Sequence, residues 1–386
     1  MFSLPFAHKR EKVIAIADVA SDSAGACIAL VRDNEPASII CAERSSLSYD
    51  EKSPEQTEAG VLSLLEDASA KVLRTYSKLP GKSAARAISS VHAIIHTPLI
   101  TSQTSSAVTS FEQEESITKD IIGNLAKSAL SSGKMLESSR LFEAGVASVE
   151  LNGYRTGKPI GKHAHNVSVA TLTSECEPEL RAQITERLRK GFGVQNPVLH
   201  SDTRALLHVT HMNPVHTNRH FIIDVSGNST NCIVIHKDTA AEHIVVSEGV
   251  RTILKRIVGN GMAEETLSLM RMVSRDACNT PACDQLNASL ARVETELVKI
   301  FGEAFGKLMS VRRLPNDLVL IVNPDFAPWM NNFFSRIDFG QFTVTTRQFA
   351  VHTLGAGDLG ASVAQHPSPK VDAWLTLGTA LGGAQE

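Results

Sequence analysis

Two short segments carry the residue types that handle phosphate and a divalent cation. The first is Asp18-Val19-Ala20-Ser21-Asp22-Ser23-Ala24-Gly25, and the second is Asp224-Val225-Ser226-Gly227-Asn228-Ser229-Thr230-Asn231. Small turn residues let backbone N–H groups approach phosphate oxygens, and an aspartate beside the turn can hold the hydrated Mg2+ that bridges them. On that chemistry Asp18 and Asp224 are the candidate metal-site carboxylates, and Ser21, Ser23, Gly227, Ser229 and Thr230 are the candidate phosphate-binding residues. Either segment alone also fits an ordinary hairpin turn. Their recurrence, each between two apolar runs, is what carries information.

Other groupings point less far. His208, His211, His216 and His220 lack the i,i+4 helical pair and accompanying carboxylates of a metal site, and Pro214 interrupts them, so they read as a solvated loop. Gly355-Ala356-Gly357-Asp358-Leu359-Gly360 has the form G-x-G-x-x-G but follows no strand-like run, and it reads as a flexible loop. Lys158, Lys162, His163 and His165 form a basic patch that reads as a solvated face. Of the six cysteines only Cys278 and Cys283 are close, and with no second pair they read as two reduced thiols.

The elements that must position the two segments recur as well. Val13–Ala17, Ala26–Val31 and Ala37–Ala42 read as strands, then Glu55–Tyr76 carries apolar residues at helical spacing, and Val91–Ile95 reads as a further strand. About 200 residues later Phe221–Asp224, Asn231–Ile235 and His243–Val246 repeat the order, with a helix over Glu248–Val258. Between the halves, from about Leu99 to Cys176, lie a Ser/Thr-rich extended segment, a helix near Gln113–Leu130 and strands over Phe142–Val149 and Asn166–Leu172. A helix over Pro178–Gly191 follows, with Glu177 or Ser174 as its cap. The second half closes with helical sequence around Glu264–Met309, a strand Leu318–Val322, a helix near Pro328–Ser335, a strand Phe342–Thr346 and a final helix Val371–Leu381.

The expected fold is therefore α/β: a duplicated two-lobed architecture with an inserted α+β subdomain. Residues 1–96 form the first part of the first lobe, 97–176 the insert, 177–220 the remainder of that lobe with a connecting segment, and 221–386 the second lobe. A length of 386 residues suits two domains, and 42% apolar with 20% charged residues excludes disorder and a coiled coil. A net charge of -3 without a long basic run, and only 5% aromatic residues, argue against a nucleic-acid partner. No apolar stretch reaches the roughly 18 residues of a membrane span, and the N-terminus turns polar too soon for a signal peptide. The expected location is the cytoplasm, without direct membrane insertion.

On these residues the chain resembles the actin-like (ribonuclease H-like) ATPase superfamily, in the branch of the cell-division protein FtsA and the type IV pilus assembly protein PilM. Ser201-Asp202-Thr203-Arg204-Ala205-Leu206 stands where that family's first connecting helix begins, and Ala373–Ala380 looks like its closing helix. The insert, with its Asn152-Gly153-Tyr154 and Pro159-Ile160-Gly161 link, looks like the extra subdomain of this branch. The resemblance implies ATP and Mg2+ as cofactors, but the sequence departs from the family at three places. Ala20 stands where the first loop usually has glycine, Asp22 adds negative charge beside it, and Asn323-Pro324-Asp325-Phe326 replaces the Gly-Gly adenosine motif. The second loop keeps Asp224, Gly227 and Thr230.

Three functions fit: a scaffold that binds the cytoplasmic tail of a membrane protein in pilus assembly or cell division, with weak or lost ATP binding; an active ATPase or small-molecule kinase; and a polymer that self-associates into filaments. The scaffold is favoured, recruited by its partner to the inner face of the membrane, and whether it is an enzyme stays open. Thr97-Pro98-Leu99-Ile100-Thr101-Ser102 offers backbone beside a proline, as an unpaired strand edge would, so Leu99 and Ile100 are the expected partner-binding residues.

Overall fold

A computed structural model describes residues 11–49, 54–79, 86–132, 137–210, 219–236, 239–259, 261–309, 313–365 and 371–385. The first lobe opens with β1 (Glu11–Val19), β2 (Ser23–Arg32), β3 (Ala37–Ser46), α1 (Pro54–Ser77) and β4 (Ser90–Ile95). The insert follows as β5 (Ile100–Ser116), α2 (Lys119–Ser132), β6 (Leu141–Leu151), β7 (Tyr154–Arg155) and β8 (His163–Cys176). The chain returns through α3 (Pro178–Phe192), β9 (Val198–Ser201) and α4 (Asp202–Thr210). The second half contains β10 (Arg219–Val225), β11 (Thr230–His236), β12 (Thr239–Val246), α5 (Val250–Val258), α6 (Ala263–Val273) and α7 (Pro281–Leu308). It ends with β13 (Asp317–Val322), α8 (Ala327–Arg336), β14 (Ala350–Thr353), β15 (Val363–Gln365) and α9 (Ala373–Gln385).

Sheet topology makes the duplication explicit. The first sheet runs β15-β3-β2-β1-β4-β9 and the second β12-β11-β10-β13-β14. In both, the central strand pairs antiparallel with the strand that follows it and parallel with the fourth strand of its own half. The registers match too. Asp18 faces Gly25 across one pair, and Asp224 faces Asn231 across the other. Both central strands are buried on two faces, which explains their nearly continuous apolar sequence.

One core lies under α1 and α3 in the first lobe, and another, rich in phenylalanine, under α5 to α8 in the second. A third fills the middle layer, where Ile14 and Ile16 of β1, Ile222 of β10, Leu206 of α4 and Leu375 of α9 meet. The insert is a separate sheet, β5-β8-β6-β7, with its own small core, and α2 packs on β5 and β8.

The structure corrects several sequence readings. Phe342 ends a 3-10 turn and Thr343 makes only an isolated bridge to Leu314, so Phe342–Thr346 is not a strand. The edge strand is β14, paired with β13, and the G-x-G-x-x-G segment does follow a strand, with a 3-10 turn over Ala356–Leu359. Gln113–Ser116 belong to β5, so the helix of the insert starts later, at Lys119. Residue 177 is the cap position of α3, where Pro178 begins the helix without a side-chain cap bond. Cys278 and Cys283 form a disulfide rather than two free thiols. The stretch assigned wholly to the second lobe sends β15 back to pair with β3 and α9 back to pack on β1. His211 and His216 lie outside the described residues, while His208 sits on α4 and His220 is buried in β10. Among the described residues, no helix is long and apolar enough to cross a membrane.

Candidate functional site

The two loops face each other between the lobes, each at the end of its central strand. Asp18 is fully buried there, and the chain itself supplies its counter-charges. Arg44, which pairs across from Gly25 on β3, reaches back over that glycine and sets Nη2 2.6 Å from Asp18 Oδ2. A β-carbon at Gly25 would lie 3.0 Å from the guanidinium carbon, so the missing side chain makes the path. Arg44 also donates to Ser23 Oγ and forms an ion pair with Asp372, just before α9. His96, just after β4, sets Nε2 2.5 Å from the other Asp18 oxygen, and the Trp374 ring stands edge-on to it at 4.1 Å. Burial alone would raise the Asp18 pKa, but His96 and Arg44 overcome it and hold the carboxyl at about 2. Burial likewise disfavours the charged imidazole, yet Asp18 drives His96 up to about 9.

Asp224 is equally buried but differently served. Burial pushes its carboxyl up to about 7; Asp202 and Asp18 add to the rise, while His96 and the Trp374 indole oppose it. One oxygen, Oδ2, has no hydrogen-bond partner. Asp202, at the start of α4, accepts bonds from the amides of Thr97 and Thr203 and from Asn231 Nδ2. His96, Asp202 and Asp224 each bring one ligand-type atom within 4.8 Å of the others. His96 is already paired with Asp18, which favours its protonated ring, so a cation bound by these three residues would have to displace that proton.

The loops themselves are closed. The Asp22 side chain lies on Gly227, where a β-carbon would be only 2.1 Å from Asp22 Cγ. Ser229 is buried, with its hydroxyl 3.4 Å from that of Ser226, and Thr230 Oγ1 donates to the Glu248 carbonyl at 2.6 Å. The Ser21 hydroxyl is buried without a partner. These residues do not fit a Mg-nucleotide. The first carboxylate already has two cations, and the Asp22 side chain, whose pKa burial raises, fills the space over Gly227 where phosphate would approach.

All the loop residues named from the sequence thus converge at one place, but Asp18 and Asp224 do not form a free carboxylate pair. Arg44, His96, Asp202 and Asp372 escaped the sequence reading. Asp202 lay within a flagged segment, and His96 precedes the Thr97-Pro98 strand stop. Arg44 gave no signal, because its role depends on the β2–β3 register.

A cleft of about 960 Å3 extends from the loops to the joint with the insert, walled by Ser21, Tyr49, Leu99, Ile100, Arg251 and Met262 among others. Leu99 is half-buried in this wall. Ile100 is only 3% exposed, part of the first-lobe core, and paired with Cys176. The segment is therefore not an unpaired strand edge at Ile100; β8 has taken that edge.

No protein-family model matches the chain, and no curated protein does either. Solved structures do. A chain of the PilM–PilN type IV pilus biogenesis complex is 12% identical, with a TM-score of 0.56 over 97% of this chain and 99% of that one. The ethanolamine utilization protein EutJ from Carboxydothermus hydrogenoformans is 13% identical, with a TM-score of 0.46 over 98% of this chain and 91% of its own. A PPX-GPPA enzyme of Aquifex aeolicus is 12% identical, with a TM-score of 0.34 over 91% and 79%. The duplicated sheets, together with the likeness to the pilus complex chain, show an actin-like ATPase fold.

Proposed function

We propose that this chain is an actin-like scaffold of the PilM type that binds the cytoplasmic tail of a membrane protein and has weak or lost ATP binding. The observation that carries this reading is the pairing of a filled phosphate site with an open cleft. Arg44 and His96 neutralise Asp18 and Asp22 covers Gly227, while about 960 Å3 remains open toward the insert joint at Leu99. Apolar wall residues such as Leu99 and Met262 suit the apolar side chains of an extended or helical tail, and Arg140 and Glu175 at the rim add charged groups beside its polar ones. Ordering such a tail costs part of the gross interaction energy, so the affinity should be moderate. Division into an insert at 97–176 between two lobes belongs to the same reading, as does recruitment to the inner face of the membrane.

The test uses fluorescence polarisation with synthetic peptides that carry the cytoplasmic tails of membrane proteins from the same cell. Saturable binding by one tail that Leu99→Asp abolishes supports the reading. No binding by any tail, or equal binding by the variant, contradicts it.

A further inference from the structure

Beyond β3 the first lobe sends a short segment across to the second. The Leu47 amide donates to the Asp22 carbonyl at 2.7 Å, which ties this segment to the first loop. Arg251 Nη1 of α5 donates to the Ser48 carbonyl at 2.7 Å, which ties it to the other lobe. The Tyr49 ring then packs, partly buried, against the second-lobe core and forms part of the cleft wall.

Beneath it, Asp22 rests on Gly227, and Gly227 has no room to retreat. At Gly249, behind the loop, a β-carbon would lie 2.5 Å from the carbonyls of Ser226 and Gly227 and from the Ser229 amide. Contact between the first loop and the second is thus fixed from both sides.

The electrostatics agree with this packing. The Tyr49 phenol is pushed up to about 12, by burial first and then by Asp22, Asp325 and Glu264. Asp325 belongs to the segment after β13, where the resemblance places the adenosine motif, and it is itself paired with Arg271. Phosphates entering this space would meet Asp325 and Glu264 together with the buried Asp22 side chain, while Arg251 is already bonded to Ser48 and sits close to Asp22.

We propose that residues 47–49 with Asp22 form a built-in occupant of the interlobe cleft. Asp22 stands at the phosphate position and Tyr49 at the nucleoside position, so the lobes stay closed with no nucleotide and the tail groove sharing that wall is permanently formed. The inference rests on the scaffold reading and adds the means by which the chain dispenses with a ligand.

The experiment uses the full chain, as wild type, as Tyr49→Ala and as Asp22→Gly/Tyr49→Ala. Amide hydrogen exchange and small-angle scattering are recorded with and without Mg-ATP. The double variant should exchange the Leu47 and 226–229 amides roughly tenfold faster and show a larger radius of gyration, while the wild type stays unchanged by Mg-ATP. If the double variant does not fold, Tyr49→Ala is expected to show the same changes at lower amplitude. Wild-type exchange and size in the folded variants would overturn the strap while leaving the scaffold reading standing. A wild type that micromolar Mg-ATP protects would overturn both, because the scaffold reading allows only weak or lost nucleotide binding.

Discussion

Replacing Arg44 with alanine should cost the fold roughly 3–5 kcal/mol, the usual penalty when a buried ion pair loses one partner. Asp18 has no exposure to water with which to recover hydration, and the same guanidinium serves Asp372. The native pKa sizes the effect independently. Asp18 is held at about 2 against an ordinary 3.8, by His96 and Arg44 acting against burial. At about 1.4 kcal/mol per pKa unit this is about 2–3 kcal/mol at neutral pH, to which His96 also contributes. Because this pKa is depressed, the stabilisation is complete above pH 3.8 and disappears as pH falls through about 2. Arg44→Ala should therefore be less stable at pH 7 and lose less on acidification. Urea unfolding followed by tryptophan fluorescence is the assay, since Trp374 stands against His96. A loss below about 1 kcal/mol, the value of an exposed pair, would refute the reasoning.

Other outcomes follow from the same geometry. His96 has its pKa raised from 6.5 to about 9, so its contribution is complete below pH 6.5 and is lost as pH rises through 9; His96→Gln should flatten that limb of the stability curve. Asp224, raised from 3.8 to about 7, favours the fold fully below pH 3.8 and loses that effect as pH climbs through 7. Asp224→Asn should thus gain on the wild type between pH 4 and 8, by up to about 4 kcal/mol in thermal or urea unfolding. Ile100→Asp should unfold the first lobe, because Ile100 is core, whereas Leu99→Asp should keep a wild-type circular dichroism spectrum. Gly249→Ala should lower stability by about 1–3 kcal/mol, since its β-carbon meets backbone atoms that cannot rotate away.

Much of this was legible in the sequence because it is local. Apolar runs broken by small polar residues place Asp18 and Asp224 at strand ends, and the repeated order places them in equivalent registers. What was not legible depends on tertiary register. Arg44 reaches Asp18 only because β2 and β3 pair Gly25 with Arg44. Asp22, which the sequence shows only as extra charge, reaches Gly227 only once the lobes meet. Ile100 resembles a free strand edge until β8 pairs with it. Phe342–Thr346 has strand-like composition, but its turn around Thr343 lets Ala350–Thr353 take the sheet edge instead.

The central claim, an actin-like fold kept as a scaffold without a working nucleotide site, is tested most directly by calorimetric titration of the full-length wild type with Mg-ATP and Mg-ADP. The expected result is no binding heat at micromolar ligand and, at about 1 mM, a stabilisation of no more than about 0.4 kcal/mol, the mass-action limit for a site of millimolar or weaker affinity. Saturable micromolar binding that Asp224→Ala abolishes would contradict it.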